Sequence, residues 1–102
     1  MKSLAIDLVA CLCILASCTA KVNAQDRAHT LKVYNWADYL DLDLIGEFEQ
    51  WYEERTGEKV KVIYQTFDIN ENMLTEIEVG HEDYDVVCPS EYIIERMLRR
   101  QL

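Results

Sequence analysis

Between residues 31 and 102 the spacing of apolar side chains alternates between a period of two and a period of about 3.6, and this restricts the fold more than any other feature. "LKVYNW" (31–36) has the β-branched and aromatic content of a strand. From Asp41, a favourable N-cap, the period lengthens, and Leu44, Ile45, Phe48, Trp51 and Tyr52 recur at helical spacing. Glu47, Glu49, Glu53 and Glu54 lie mainly off that stripe, and Gly57 supplies the stop. "KVKVIYQTF" (59–67) returns to alternation, with Val60, Val62 and Tyr64 set against Lys59, Lys61 and Ile63. Asp68 and Glu71 have capping-box spacing, opening a short helix with Met73, Leu74 and Ile77 inward that ends near Gly80. "YDVVCPS" (84–90) is apolar through its middle, as a strand buried on both faces is, and Pro89 ends it. "EYIIERMLRRQL" predicts a last helix with Ile93, Ile94, Met97 and Leu98 inward. The order is β-α-β-α-β-α. Each crossover is long enough to return the chain parallel, so the expected fold class is α/β, a three-layer sheet with right-handed connections.

Sheets of this kind bind ligands at the carboxyl ends of their strands. Here those ends are residues 35–39, 67–68 and 89–92. The first carries an unusual loop, "VYNWADYL" (33–40), with two aromatic pairs around one carboxylate. An aliphatic ammonium ion is satisfied by a carboxylate at its charge and by aromatic faces along its methylenes, with cation–π contacts contributing on the order of 0.5–2 kcal/mol. Trp36 and Tyr39 have the chemistry of such walls, Asp38 that of the counter-charge, and Ser90 and Tyr92 add hydroxyls from the third strand end. The same residues also suit a second role: Trp36 and Tyr39 as a cap on the core, Asp38 as a turn residue.

The formal charge of −9, from 19 acidic and 10 basic side chains, argues against nucleic acid, whose partners need a basic footprint. Ahead of the α/β region, Lys2 precedes a mostly apolar stretch. The nine apolar residues 8–16 fall well short of the roughly 20 needed to span a bilayer core, and a short apolar run after a basic start reads as a secretory signal peptide. "LASC" at 15–18 resembles the lipobox of bacterial lipoproteins, whose cysteine is lipidated and becomes the new N-terminus. The expected organisation is therefore a lipoprotein signal peptide at 1–17, a polar tether at 18–30 and the α/β region at 31–102. Of four cysteines, Cys11 and Cys13 leave with the signal and Cys18 carries lipid. Cys88 is left alone, with no intramolecular disulfide open to it.

Enzymatic readings find little support. There is no glycine-rich phosphate loop, no mature Cys-x-x-Cys and no His-x-x-x-His, and no cofactor is expected. His29 falls in the tether and His81 in a polar turn before the third strand, whereas Ser90 follows that strand. A lipid-anchored periplasmic α/β hydrolase or thioredoxin-like enzyme is the alternative reading, and a binding lobe for another cationic or organic solute is a third.

"LKVYNWADYLDLDLIGEFEQ", "TGEKVKVIYQTFDINENML" and "YDVVCPSEYIIERML" resemble, in this order, the bacterial spermidine/putrescine-binding proteins of polyamine ABC importers. The resemblance runs from about Leu31 to Leu102. It implies a type II periplasmic-binding-protein fold, of which this chain supplies the βαβαβα start of the first lobe, and a protein that captures polyamines and delivers them to a permease in the cytoplasmic membrane without catalysis. It also implies that Trp36, Asp38 and Tyr39, together with Ser90 and the aromatic Tyr92, form the first lobe's half of the cleft. Family members are several times longer, and the last helix ends abruptly at Leu102, so the expectation is the N-terminal part of a longer protein. With the lipobox, that protein is expected in the extracytoplasmic space, held to the membrane through Cys18.

Overall fold

A computed structural model describes residues 24–102. The segment expected to be a signal peptide, the expected lipidation site Cys18 and the first part of the expected tether lie outside the described residues. In chain order the elements are α1 (Ala24–Ala28), β1 (Thr30–Trp36), α2 (Asp43–Thr56), β2 (Lys61–Phe67), α3 (Asn70–Gly80), β3 (Val86–Val87) and α4 (Glu91–Arg100). The strands form one parallel sheet in the order β2-β1-β3. β1 and β2 pair from Thr30↔Lys61 to Trp36↔Phe67, and β3 pairs with β1 at Val33↔Val86 and Tyr34↔Val87.

The two-residue period of β1 sorts its side chains between two unequal faces. Tyr34 and Trp36 share one face with Phe67 and Val87, and against them pack Met73 and Leu74 of α3 and Ile93 and Met97 of α4. Met73 and Ile93 are wholly buried; burial of a side chain of this size stabilises by roughly 1.5–3 kcal/mol. Tyr34 meets the Phe67 ring edge-on at 5.1 Å and stacks on Tyr84 at 4.5 Å. Its hydroxyl donates to Glu76, and burial first, then that carboxylate, pushes the phenol above its ordinary pKa. Leu31, Val33, Val62 and Tyr64 point to the other face, where Leu44, Ile45 and Phe48 of α2 approach them. The sheet thus has helices on both sides, as the three-layer expectation required. From β1 the chain crosses to β2 in one direction and from β2 to β3 in the other, and opposite directions need opposite faces if both crossovers share one hand.

Several local expectations are corrected. Ala24–Ala28, expected within the tether, form a helical turn, because Arg27 reaches 56 to 58 residues along the chain. Its guanidinium donates to the Asp83 and Asp85 carboxylates and to the Asp83 carbonyl at 2.8–3.1 Å. The third strand is two residues long rather than seven and is not buried on both faces: Val86 is 42 % exposed. It is an edge strand, and α2 reaches only the β1–β2 side of that face. Ile94 and Leu98 are exposed, since the apolar side of α4 packed on the core runs along Ile93 and Met97. α2 has no buried residue, although its apolar stripe falls where the period placed it. The Asp68–Glu71 capping box does not form. α3 starts at Asn70 after an extended Ile69, and the Glu71 carboxylate accepts instead from Tyr92.

Asp41 does act at the start of α2, its carboxylate accepting the Asp43 N–H at 3.1 Å. Gly57 ends that helix at φ +77, its N–H donating to the Glu53 carbonyl at 2.8 Å. The left-handed region it occupies disfavours any residue with a Cβ, which is why the helix stops at glycine.

Candidate functional site

The order β2-β1-β3 puts the point where crossovers diverge between β1 and β3, and in open α/β sheets the ligand crevice opens there, beyond the carboxyl ends. The loops after β1 and after β3 hold the residues singled out by sequence. Trp36 is the last residue of β1 and is half-buried, its indole 4.6 Å from the Phe67 ring. It packs against the core at the end of the sheet. Ala37 continues the ladder for one more bond, its N–H donating to the Phe67 carbonyl at 3.0 Å, and the turn then begins. Asp38 stands at φ +59 and is exposed, as is Tyr39 at 75 %. Among the described residues neither side chain has a hydrogen-bond partner.

Ser90 and Tyr92 are differently placed. Ser90 precedes α4 with extended backbone angles suited to an N-cap, yet its hydroxyl makes no capping bond. It turns to Asn70, whose Nδ2 lies 2.9 Å from Ser90 Oγ and 3.1 Å from Tyr92 Oη. The Ser90 N–H in turn donates to Asn70 Oδ1 at 3.1 Å. Tyr92 Oη donates onward to Glu71 Oε1 at 3.0 Å. The loop after β3 and the start of α3 are thereby tied together across the end of β1, which lies between their strands.

Trp36, Asp38, Tyr39, Ser90 and Tyr92 therefore all fall on the carboxyl edge of the sheet, but in two groups. Ser90 and Tyr92 are joined through Asn70, while Asp38 and Tyr39 project from a separate turn. Asn70 and Glu71 were not anticipated. A signal existed for Asn70: it opens the 70, 73, 74, 77 spacing that buries Met73 and Leu74, so helical geometry predicts a buried polar side chain there. At 6 % exposure it is the one buried polar residue among those described. His81, at the left-handed end of α3, stands before β3 and Ser90 after it, and the described residues contain no group of three His, Cys, Asp or Glu side chains placed to hold a metal ion.

Charge elsewhere on the sheet is strongly paired. At the opposite edge Lys32 Nζ donates to Asp83 at 2.7 Å and Glu82 at 3.0 Å, beside the Arg27 contacts. Lys32 and then Arg27 hold the Asp83 carboxyl well below the usual carboxylate range; Arg27 and the Lys32 N–H lower that of Asp85. Among the described residues no cation pairs with Asp38.

Comparison with known proteins agrees with the geometry. No family model matches the chain. It is 39% identical over 69 residues to the putrescine-binding periplasmic protein PotF of Escherichia coli, covering 68% of this chain and 17% of that protein. It is 36% identical over 73 residues to the spermidine/putrescine-binding periplasmic protein of the same organism, covering 71% and 19%. Among solved structures it resembles the spermidine/putrescine ABC transporter substrate-binding protein PotD of Streptococcus pneumoniae, with a TM-score of 0.60 and 43% identity over 72% of this chain and 21% of that one. The chain spans less than a fifth of the length of these two curated relatives. The resemblance read from the strand-end motifs is borne out, and so is the α/β, periplasmic-binding-protein-like fold class.

Proposed function

We propose that this chain, a relative of the periplasmic putrescine- and spermidine/putrescine-binding proteins, supplies one side of a polyamine-binding cleft in an extracytoplasmic solute-binding protein that serves an ABC permease. The observation that carries the reading is the 39% identity to a putrescine-binding protein over a segment whose strand-end loops bear Asp38, Tyr39 and Ser90, with Tyr92 in the first turn of α4. In this reading an ammonium group of the ligand is met by the Asp38 carboxylate, the Trp36 and Tyr39 rings flank the methylene chain, and the Ser90 and Tyr92 oxygens accept N–H donors. The relatives are named as binding proteins, and the site likewise holds and releases its ligand unchanged. Isothermal titration should show putrescine binding and no binding of butane-1,4-diol, which has similar length and no charge. Equal affinity for the two overturns the charge argument.

The reading extends to the N-terminal segment through its lipobox. Cys18 is lipidated and holds the protein at the membrane, with one or more further acyl chains needed for stable retention. Cys18→Ala should move the expressed protein from the membrane to the soluble fraction. Full retention of the variant in the membrane fraction rules the anchor out.

A further inference from the structure

We propose that Asn70 is the positioning residue of this site, setting the hydroxyls of Ser90 and Tyr92 so that they present lone pairs to a cationic ligand. The ligand class rests on the polyamine reading above; the hydrogen-bond geometry does not. The orientation of the amide follows from one partner. A backbone N–H can only donate, so the Asn70 atom facing the Ser90 N–H is Oδ1. Nδ2 must then be the atom facing the two hydroxyls, and its two hydrogens match its two acceptors, Ser90 Oγ and Tyr92 Oη. Each hydroxyl oxygen accepts from Asn70, so neither can direct its own hydrogen there. The Tyr92 hydrogen goes to the Glu71 carboxylate. A hydroxyl that donates to a carboxylate carries more negative charge on its oxygen and is a better acceptor. What Tyr92 Oη still offers is a lone pair, and an ammonium group, a donor only, needs lone pairs.

The placement of Asn70 supports the same role. It belongs to α3, yet it does not cap its own helix; its side-chain polar atoms reach to Ser90, after β3, and to Tyr92 in the first turn of α4. Because β1 separates β2 from β3, the side chain bridges the two loops flanking the end of β1, where Asp38 and Tyr39 emerge. Burying an amide is costly unless its polar groups are satisfied. Here three hydrogen bonds satisfy it, and all three go to the two candidate ligand-contact residues.

A double-mutant cycle in the intact protein tests the inference. Asn70→Ala should weaken putrescine binding by about tenfold, the order expected for loss of two organised acceptors. In a Ser90→Ala, Tyr92→Phe background the same substitution should weaken it by less than about threefold, because the hydroxyls through which it acts are gone. An undiminished tenfold loss in that background shows that Asn70 acts on the fold alone and overturns the proposal. A second variant covers the case in which Asn70→Ala folds poorly. Asn70→Asp keeps an acceptor for the Ser90 N–H but has no donors, so the Ser90 amide should stay protected from hydrogen exchange while the Tyr92 ring 13Cζ resonance shifts as its hydroxyl turns from Glu71. An unmoved Tyr92 resonance also overturns the proposal. If the unaltered protein binds no putrescine, the polyamine reading fails by itself, and the exchange and resonance measurements still decide whether Asn70 orients the hydroxyls.

Discussion

At the scale of single residues, Asp38 and Trp36 separate two roles that composition left joined. Both aromatic ligand walls and core caps call for an aromatic at the end of β1, so no reading of the sequence distinguishes them. Trp36 turns out to be committed to Phe67, and Trp36→Ala would disturb core and cleft together. Asp38 is cleaner. Its φ of +59 places it where side chains with a Cβ lose on the order of 1 kcal/mol, and no hydrogen bond among the described residues compensates. Residues held in such conformations cluster at ligand-binding positions. Asp38→Gly removes the strain and the carboxylate at once, so the ligand-free melting temperature should hold or rise while putrescine affinity falls by about tenfold or more. Asp38→Asn, a residue that tolerates the left-handed region, should leave melting unchanged with a similar loss of affinity. If both variants bind normally, Asp38 is a turn residue only.

At the scale of elements, periodicity identifies which residues share a face but not whether anything covers that face. Met73, Leu74, Ile93 and Met97 went inward as spaced, whereas Ile94 and Leu98 stayed exposed and the stripe of α2 was covered only in part. The strand-end loops were legible because the βα alternation alone decides where they fall. For Asn70 the helical spacing carries its burial but not its partners, which lie 20 and 22 residues away. The same holds for α1. Nothing local marks residues 24–28 as structured; Arg27 fastens them to the segment leading into β3 through pairs formed only in the folded chain. Asp83 and Asp85 have carboxyls held below the ordinary range, so their contribution is fully present above about pH 4, where carboxylates ionise in the unfolded chain. It is lost as pH falls through the depressed folded values. The melting temperature should therefore fall as the pH drops below about 4. Arg27→Met should melt lower at pH 7 and show a shallower acid drop, with Lys32 retaining part of the Asp83 effect. A variant whose acid profile superimposes on that of the unaltered protein would show the Arg27 pairs to be energetically silent.

At the scale of the whole molecule, the two faces of the sheet are finished to different degrees. One is closed by α3 and α4. The other holds a cleft of about 270 Å³ between β1, β2 and α2, lined by Leu31, Val33, Leu44, Phe48, Val62 and Tyr64 among others. Leu40 and Ile45 complete the lining, so the cleft wall offers apolar surface and almost nothing polar. Together with Phe48 at 37 % and Leu44 at 46 % exposure, this is a concave apolar surface open to water, the kind that takes up apolar probes. An uncharged dye is the appropriate probe, because a net charge of −9 repels anionic ones. Nile red should bind the folded protein with a blue-shifted emission while near-ultraviolet circular dichroism stays native, which separates an open cleft from a loosened core. Leu44→Glu puts a charge into the cleft at the first turn of α2, where the helix dipole favours a negative side chain, so it should abolish most of the dye signal with little change in melting temperature. Val79→Glu, on the exposed side of α3, should leave the signal intact. Equal dye binding by both variants would locate the apolar surface elsewhere and remove the contrast between the two faces.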